Sequence, residues 1–542
     1  MKIKTIKIIN FKSFDELTVD IGDFNILVGD NGTGKSTLLE AIHLALTGLY
    51  RGKNINNNIS QDLFNVKCVD KYKEELRKGN NPKLPEISIE VYFDECPILM
   101  GDDNSNKSSD CGFTFKILFD ENNSDAYSEL IKDKDLDSLP FEFYKCEWNT
   151  FARKNYTSSK NIEFKSAFLD SKISGNFETF STKLIKNYIS DESIVELNQK
   201  IRESTDGLKN EEIFSNISKT FLKNTDLKTK NISIGVANNN KSTWANLITI
   251  KENDIPYENI GTGNQCVLST ILSLENDSFK GKGIILIEEP ENHLSGMSMN
   301  MLLKNIKEHA KDQQVIISTH SSYVLNKLGL DNLIMLGNKK IVKISNLPRE
   351  TIQYFEKISG YDTLRFILCK KSILVEGDSD DLIIQRAYKD KFNKLPVEDG
   401  IEIITVGLSF KRFLQLASVL NLKVSLVTDN DGNMNKIKEL KENFNSRNIH
   451  IYSGKKAFTH EELGICKDKV PNVNTLEPEI VRVNKISDLN SIFDTNYESE
   501  ESMCHYMINN KTEVAWKIFY SNKKITYPEY INNAIEELKA NE

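Results

Sequence analysis

Gly29-Asp30-Asn31-Gly32-Thr33-Gly34-Lys35-Ser36-Thr37-Leu38 fits the spacing G-x-x-x-x-G-K-[ST]. Phe24-Asn25-Ile26-Leu27-Val28 ahead of it reads as a buried strand, and Leu38 to Leu46 behind it reads as an amphipathic helix. A strand, a glycine loop and a helix N-terminus in that order are what a phosphate-binding loop requires. The glycines let successive backbone N–H groups close around a phosphate, with the helix dipole favouring its charge. Lys35 adds a positive point charge against the β/γ oxygens, and the Ser36 hydroxyl is placed to hold Mg²⁺. Asn31, Gly32, Gly34 and Thr37 complete the expected ATP cradle.

At 542 residues the chain is too long for one core and predicts two to four domains. Hydrophobic content of 39% and charged content of 27% describe an ordinary globular protein. No apolar run approaches the roughly 18 residues of a membrane span, so no membrane association is expected. The alternating start Met1-Lys2-Ile3-Lys4-Thr5-Ile6-Lys7-Ile8 reads as a strand rather than a signal peptide, which predicts a cytoplasmic protein. The eight cysteines are scattered without C-x-x-C pairs, and free thiols are expected. A net charge of −8 means that any nucleic-acid contact must come from local patches or be bridged by metal ions.

The opening 1–155 reads as the first part of a nucleotide-binding domain, with strands at Ile87–Phe93, Phe113–Phe119 and Phe141–Tyr144 forming an added antiparallel sheet. Helical periodicity follows over 156–230, at Leu184, Ile185, Tyr188 and Ile189, at Ile194, Leu197 and Ile201, and at Ile213, Ile217, Phe221 and Leu222. That stretch reads as a helical insertion, either with a solvated charged face or serving dimerisation. Strand patterns at Ile232–Val236 and Leu247–Ile250 open the second nucleotide-domain part, 231–345. After a linker at 346–368, strands at Ser372–Val375, Ile401–Thr405, Val424–Thr428 and Ile449–Tyr452 alternate with helices, predicting a second, mainly parallel α/β domain over 369–542.

Ile284-Ile285-Leu286-Ile287-Glu288-Glu289 is a buried strand ending in two acids. On a phosphate-loop sheet Glu288 would hold the Mg²⁺ shell and Glu289 would orient or deprotonate the attacking water. Asp is the usual residue at the first position, so Glu288 is a departure. The next strand, Val315-Ile316-Ile317-Ser318-Thr319, ends in His320, placed to sense the γ-phosphate. Between them Gly261-Thr262-Gly263-Asn264-Gln265 precedes a helix and makes a further anion site. Gln61, in a polar loop after the first helix, is a further candidate Mg²⁺ contact.

A second acidic set lies downstream. Ile373-Leu374-Val375-Glu376-Gly377-Asp378-Ser379-Asp380 puts a carboxylate at a strand end and another at the start of a helix. Val424 to Val427 is followed by Thr428-Asp429-Asn430-Asp431-Gly432, with acids at i and i+2. Several carboxylates at buried strand ends are unfavourable without a cation, and hard oxygen ligands select Mg²⁺ or Mn²⁺. Two such ions can clamp the attacking and leaving oxygens of a phosphodiester.

These motifs carry two resemblances. Gly261-Thr262-Gly263 resembles the signature loop of ATP-binding-cassette proteins, which implies two ATP molecules sandwiched between two copies and hence a homodimer or larger homo-oligomer. Glu376-Gly377 through Asp380, with Asp429 and Asp431, resembles the TOPRIM domain of topoisomerases, primases and certain nucleases. The combination, an α/β chain with a cassette-type phosphate-loop ATPase, a helical insertion and a Rossmann-like TOPRIM domain, resembles the OLD (overcoming lysogenization defect) family of ATP-dependent endonucleases. Glu289-Pro290-Glu291-Asn292-His293-Leu294 is similar to that family's extended acidic motif. The resemblance implies Glu477, in Thr475-Leu476-Glu477, as a metal ligand beside Glu376, Asp380, Asp429 and Asp431. It also implies Lys511, in Lys511-Thr512-Glu513-Val514-Ala515, as a catalytic lysine alongside Glu376 and Asp429.

The implied activity is ATP-controlled, metal-dependent cleavage of DNA in antiphage defence, beside a neighbouring helicase or a reverse transcriptase with its msDNA. The alternative is a DNA-binding ATPase of the recombination and repair type, with the TOPRIM part structural. Topoisomerase chemistry would need a nucleophilic-tyrosine domain with its own DNA gate, for which the sequence leaves no room.

Overall fold

The computed structural model of the chain describes residues 1–131, 136, 138–159, 162–170, 185, 189–209, 212, 216, 248–275, 283–292, 294–309, 313–329, 332–337, 340–343, 347–357 and 361–539. It separates into two units. One comprises Met1–Leu27, Asn31–His320 and Leu336–Ile341, the other Val28–Asp30, Ser321–Met335 and Val342–Glu542.

The first unit is built on two sheets of different character. Strand Ile3–Phe11 buries Ile3, Ile6, Ile8 and Phe11 and leaves Lys4 in water, and strand Phe14–Asp20 buries Phe14, Leu17 and Val19. One-sided burial of this kind belongs to an antiparallel sheet with a wet face. The sheet runs in the order Asn155–Tyr156, Tyr144–Thr150, Asp110–Phe119, Ile87–Phe93, Ile3–Phe11, Phe14–Asp20. The second sheet is parallel, with Lys165–Asp170, Gly283–Glu288, Gln314–Ser318 and Phe24–Val28 side by side in that order. Gly283–Glu288 and Gln314–Ser318 are buried at every position, as strands covered on both faces must be.

Helix Lys35–Thr47 serves both sheets. It buries Leu38, Leu39, Ala41, Ile42, Leu44, Ala45 and Leu46, a surface too broad for a one-faced helix. From the antiparallel side the Trp148 indole N–H donates to the Ala45 carbonyl at 2.7 Å, and from the parallel side Ser166 Oγ lies 3.0 Å from His43 Nδ1. Gln314 joins the sheets directly. Its Oε1 accepts the Ile3 N–H at 2.6 Å, while its Nε2 donates to the Ile3 carbonyl at 2.8 Å and the Gly22 carbonyl at 3.2 Å.

The second unit carries a four-stranded parallel sheet in the order Ile401–Thr405, Lys371–Val375, Lys423–Val427, Ile449–Tyr452. Its first crossover runs one way and its next runs the other, so the topological switch lies between Lys371–Val375 and Lys423–Val427. Ligands of open α/β sheets bind at the carboxyl ends of strands at such a switch. Helices Asp378–Phe392, Lys511–Tyr520 and Glu529–Lys539 pack with Ile373, Val375 and Val427 through Ile383, Ile384, Tyr388, Val514, Ile518, Ile531 and Ile535. Arg386, 6% exposed, donates to the carbonyls of Ile518 at 3.1 Å, Phe519 at 2.8 Å and Lys523 at 3.1 Å, and also to that of Ser521. It thereby satisfies the open C-terminal end of the Lys511–Tyr520 helix.

Several expectations need revision. Phe141–Phe143 is a 3-10 turn behind Pro140, and the strand begins at Tyr144, where alternating burial of Tyr144, Cys146, Trp148 and Thr150 sets in. Lys165–Asp170, within the stretch read as a helical insertion, is a strand of the parallel sheet. Helix Asp191–Lys209 contains Ile194, Leu197 and Ile201. Leu184, Tyr188, Ile213, Ile217, Phe221, Leu222 and the expected strand Ile232–Val236 lie outside the described residues, as does Leu247. The linker at 346–368 contains two helices, Arg349–Lys357 and Tyr361–Leu368, which bury Phe355, Phe366 and Ile367. All eight cysteines are free thiols, and no described helix is long and apolar enough to cross a membrane.

The Gln314 amide gives a direct test of how the first unit is joined. Gln314→Leu keeps the bulk but strands the Ile3 backbone groups, at about 1–3 kcal/mol for an unsatisfied buried group. The first transition in urea is expected to move to lower denaturant.

Candidate functional site

The phosphate loop is shaped by glycine geometry. Gly32 and Gly34 have φ of 80° and 103°, and a Cβ on Gly34 would stand 2.5 Å from the Phe14 ring and 2.9 Å from Ser13 Oγ. Only glycine meets both demands at position 34. Helix Lys35–Thr47 starts directly behind it with Gly34 as its N-cap residue, and a helix N-terminus favours an anion. Ser36 Oγ donates to Glu288 Oε1 at 2.5 Å across 252 residues of sequence, and Glu288 is 5% exposed at its strand end. Hydroxyl and carboxylate oxygens so placed beside a helix N-terminus fit a magnesium-bound nucleotide.

The second acid sits under strain. Glu289 has φ of 45°, in the left-handed region that costs a non-glycine residue about 1–2 kcal/mol. Such outliers persist where their surroundings over-determine them, and they gather at functional sites. Here the Glu289 N–H donates to the Ser318 carbonyl at 2.9 Å, and Glu289 Oε2 accepts from Asn292 Nδ2 at 2.9 Å. Glu289 Oε1 stands 3.8 Å from His320 Nε2, so the acid and the strand-terminal histidine are brought together. Glu291 Oε1 accepts from Thr319 Oγ1 and from the His320 N–H, each at 2.8 Å, which pins the chain that presents His320. Glu291 Oε2 is buried and has no hydrogen-bond partner among the described residues.

Other nucleotide-domain candidates make local contacts of their own. Gly261 precedes helix Thr262–Glu275 and its carbonyl accepts the Gln265 N–H at 3.0 Å, while Gly263 lies inside the first turn. Gln61 Oε1 accepts the Leu139 N–H at 3.2 Å, which engages it with backbone. His293 lies outside the described residues.

In the second unit, acids from chain-distant segments meet at the sheet's switch point. Glu376 follows strand Lys371–Val375, and Asp380 stands in the first turn of helix Asp378–Phe392, its Oδ2 accepting the Gly377 N–H at 2.9 Å. Asp429 follows strand Lys423–Val427, and its Oδ2 accepts the Leu476 N–H at 3.3 Å. Glu477, 4% exposed, lies in the first turn of helix Leu476–Val483 and stands 3.3 Å from Lys511 Nζ. Asp431 lies further out, with Lys436 Nζ at 3.8 Å and Asn472 Nδ2 donating to it at 3.1 Å. Between the two aspartates Asn430, 1% exposed, donates to the carbonyls of Gly454 at 3.3 Å and Lys456 at 3.1 Å and locks the turn.

These carboxyl groups feel one another. Burial pushes Asp429 well above the usual carboxylate range, and the charges of Asp380, Glu477, Glu479 and Glu376 add to it. Burial also lifts Asp380 to about 6 against the opposing Gly377 hydrogen bond, with Glu477 and Glu376 adding. Glu376 is raised by burial and by Asp431. At Lys511 burial opposes the charge, but Glu477, Asp429 and Asp380 outweigh it and raise its pKa. Among the described residues no three acid, histidine or cysteine side chains are arranged so that they could hold a metal ion together. The donor set is nonetheless all oxygen and short of positive charge, which fits a hard divalent cation such as Mg²⁺ or Mn²⁺.

Glu479 was not singled out in the sequence. It is 7% exposed, pairs with Arg482 at 3.4 Å, and sits so close that a Cβ on Gly454 would stand 2.4 Å from its Oε1. The signal was available in Glu477-Pro478-Glu479. A proline in the first turn of a helix places both acids where its dipole favours them.

Family models match both parts of the chain. The AAA ATPase domain model matches residues 1–189 and 53–325, and the overcoming lysogenization defect protein-like TOPRIM domain model matches residues 367–431. The chain is 22% identical to the "Retron Ec83 probable ATPase" of Escherichia coli, over 62% of this chain and 72% of that one. It is 23% identical to the OLD nuclease of Thermus scotoductus, over 74% of this chain and 76% of that one. It is 21% identical to the endonuclease GajA of Bacillus cereus, over 80% and 75% respectively. The chain thus belongs to the AAA ATPase domain family, matched over its first 325 residues, and carries behind it a TOPRIM domain of the overcoming lysogenization defect protein-like type.

Proposed function

We propose that this chain is an ATP-controlled, divalent-metal-dependent DNA endonuclease of bacterial antiphage defence. The observation that carries the reading is the meeting of Glu376, Asp380, Asp429 and Glu477 at the switch point, with Lys511 against Glu477. Burial raises Asp429, Asp380 and Glu376, and the acids near them add to it more than Lys511 and Lys436 offset. Glu376, Asp380, Asp429, Asp431 and Glu477 would hold the cation, which supplies Lewis-acid polarisation of the phosphodiester and an activated water. Glu376 and Asp429, directly behind their strands, set where the phosphate stands. Lys511 lies at the rim, 48% exposed, where its ammonium can meet negative charge developing on the phosphoryl oxygens.

In the first unit, Asn31, Gly32, Gly34, Lys35 and Thr37 cradle the phosphates of ATP, and Ser36 with Glu288 would hold its Mg²⁺. Glu289 orients the attacking water beside His320. Gly261 and Gly263 close on the nucleotide of a second copy, which makes the working form a homodimer or larger. The relatives' names, a retron ATPase, an OLD nuclease and an endonuclease, support nuclease chemistry and a defence setting. A reverse transcriptase with msDNA, or a helicase, as the neighbouring partner is part of the proposal.

Purified protein with Mg²⁺ or Mn²⁺ is expected to nick or linearise supercoiled plasmid, and chelation is expected to stop it. Glu376→Gln and Lys511→Ala should each lower the rate by about 100-fold or more, the scale of losing one transition-state contact. Lys35→Ala should change the response to ATP, and an unchanged response would refute ATP control. Intact plasmid from a chain that still hydrolyses ATP would favour the DNA-binding ATPase with a structural TOPRIM part.

The raised carboxyl groups also fix a sign for stability. A group that holds its proton more tightly when folded stabilises the fold at low pH, and that contribution is lost as pH rises from its ordinary value, near 4, through its folded value. For Asp380 the folded value is about 6. Without metal, Tm should therefore fall across that window, while added Mg²⁺ should raise Tm at pH 8 and do little at pH 5. Asp380→Asn should raise the metal-free Tm at pH 8, by about 2–4 °C per kcal/mol for a unit of this size, and shrink the Mg²⁺ gain. Differential scanning fluorimetry reads both effects.

A further inference from the structure

Ser318 ends the strand Gln314–Ser318, which lies between the acid strand Gly283–Glu288 and the strand Phe24–Val28. It is 1% exposed, and its hydroxyl has no hydrogen-bond partner among the described residues. Leaving a buried hydroxyl unpaired is unfavourable, and folded chains rarely do so. Ser372 and Ser425 of the second unit are in the same state, but both stand inside their strands, short of the acids that follow. Ser318 stands at its strand's carboxyl end, level with Glu288.

The register fixes the face on which that hydroxyl lies. Residues paired across neighbouring strands carry their side chains on the same face of the sheet, about 4.8 Å apart, and the faces alternate along each strand. Ser166 pairs with Ile284, and Glu288, four residues further along and so on the same face, pairs with Ser318. Helix Lys35–Thr47 covers that face: Ser166 Oγ lies 3.0 Å from His43 Nδ1, the Phe168 ring lies 5.7 Å from the His43 ring, and Glu288 reaches Ser36 in the helix's first turn. Ser318 therefore stands on the helix side of the sheet, one strand from the Glu288 carboxylate. On its other flank it pairs with Leu27, two residues before the Gly29 that opens the phosphate loop. A hydroxyl between the acid and the strand that feeds the loop lacks a polar partner that an apolar ligand could not supply. Mg²⁺ gives up its waters reluctantly and keeps several of them when bound, and a serine oxygen can accept from such a water.

We infer that the Ser318 hydroxyl accepts a hydrogen bond from a water carried by the nucleotide's Mg²⁺, a third protein contact of that shell beside Ser36 and Glu288. The inference rests on reading Ser36 and Glu288 as the groups that hold the ion. It deepens that reading by accounting for a hydroxyl at the end of an otherwise apolar run, behind buried Val315, Ile316 and Ile317. The same hydroxyl destabilises the nucleotide-free protein, where it bonds to nothing, and stabilises the loaded one. Ser318 is thus a positioning residue that favours nucleotide with its metal over nucleotide alone.

The test reads binding and stability rather than turnover. Full-length protein is titrated with a fluorescent, non-hydrolysable ATP analogue, once in Mg²⁺ and once in EDTA, and its nucleotide-free Tm is measured by scanning fluorimetry. Ser318→Ala is expected to weaken binding in Mg²⁺ about two- to twelvefold, the range of one net hydrogen bond, and to leave binding in EDTA within about twofold. Its nucleotide-free Tm should equal or exceed that of the wild type, because the hydroxyl it loses has no partner there. Ser318→Thr, which keeps the hydroxyl, should bind in Mg²⁺ more tightly than Ser318→Ala. Ser425→Ala, the same change at a buried, unpartnered serine of the second unit, should alter neither titration. Unchanged binding in Mg²⁺ would overturn the inference. Equal losses in Mg²⁺ and EDTA would also overturn it, because the hydroxyl would then act on the phosphates or on packing. A lowered nucleotide-free Tm in Ser318→Ala would overturn it too, by revealing a structural partner. Wild-type protein that binds no better in Mg²⁺ than in EDTA would instead refute the reading of Ser36 and Glu288 as the ion's holders, and the inference would fall with it.

Discussion

Like charges converging at the end of a sheet set the terms for the whole second unit. Asp429, Asp380, Glu376 and Glu477 come from separate segments, and burial with mutual repulsion raises the first three above their ordinary range. Such a cluster scatters unless its backbone is held from outside. The holding groups are neutral and buried: Asn430 reaching the carbonyls of Gly454 and Lys456, Asn474 bonding Phe458 through both N–H and carbonyl, and the Leu476 N–H on Asp429. Helix starts at Asp378 and Leu476 add favourable dipoles where the acids stand. The repulsion is thus contained by hydrogen bonds that carry no charge, which leaves the acids available for a cation.

The first unit solves a related problem with different means. Its acid, Glu288, is held by a hydroxyl 252 residues away rather than by other acids, and its second acid is held by strained backbone. The loop that receives phosphate and the strand that presents the acid are parts of a single packed body, because one helix is wedged between two sheets and Gln314 ties the sheets together. Any shift of that helix therefore moves Ser36 and Glu288 relative to each other.

Much of this was legible in the sequence, for physical reasons. Parallel strands buried on both faces leave unbroken apolar runs, so Ile284–Ile287 and Ile373–Val375 announce themselves and the acids behind them are placed with confidence of register. Periodicity failed where a local constraint overrode it. Pro140 turned Phe141–Phe143 aside, and Lys165–Asp170 is too short to stand out beside a long helical pattern. The connector at 346–368 read as featureless because its helices are short. Partners chosen by three-dimensional approach, such as Glu479 beside Gly454 or Glu291 beneath His320, leave no spacing rule in the chain.

Arg386 recognises the end of the Lys511 helix through main-chain carbonyls alone. A carbonyl is the same whatever side chain its residue bears, so this grip is blind to sequence. The outer residues of that helix are then open to drift under selection while the ammonium at its start keeps its address. Such a helix can therefore vary its exposed face in single mutational steps without changing how its far end is held.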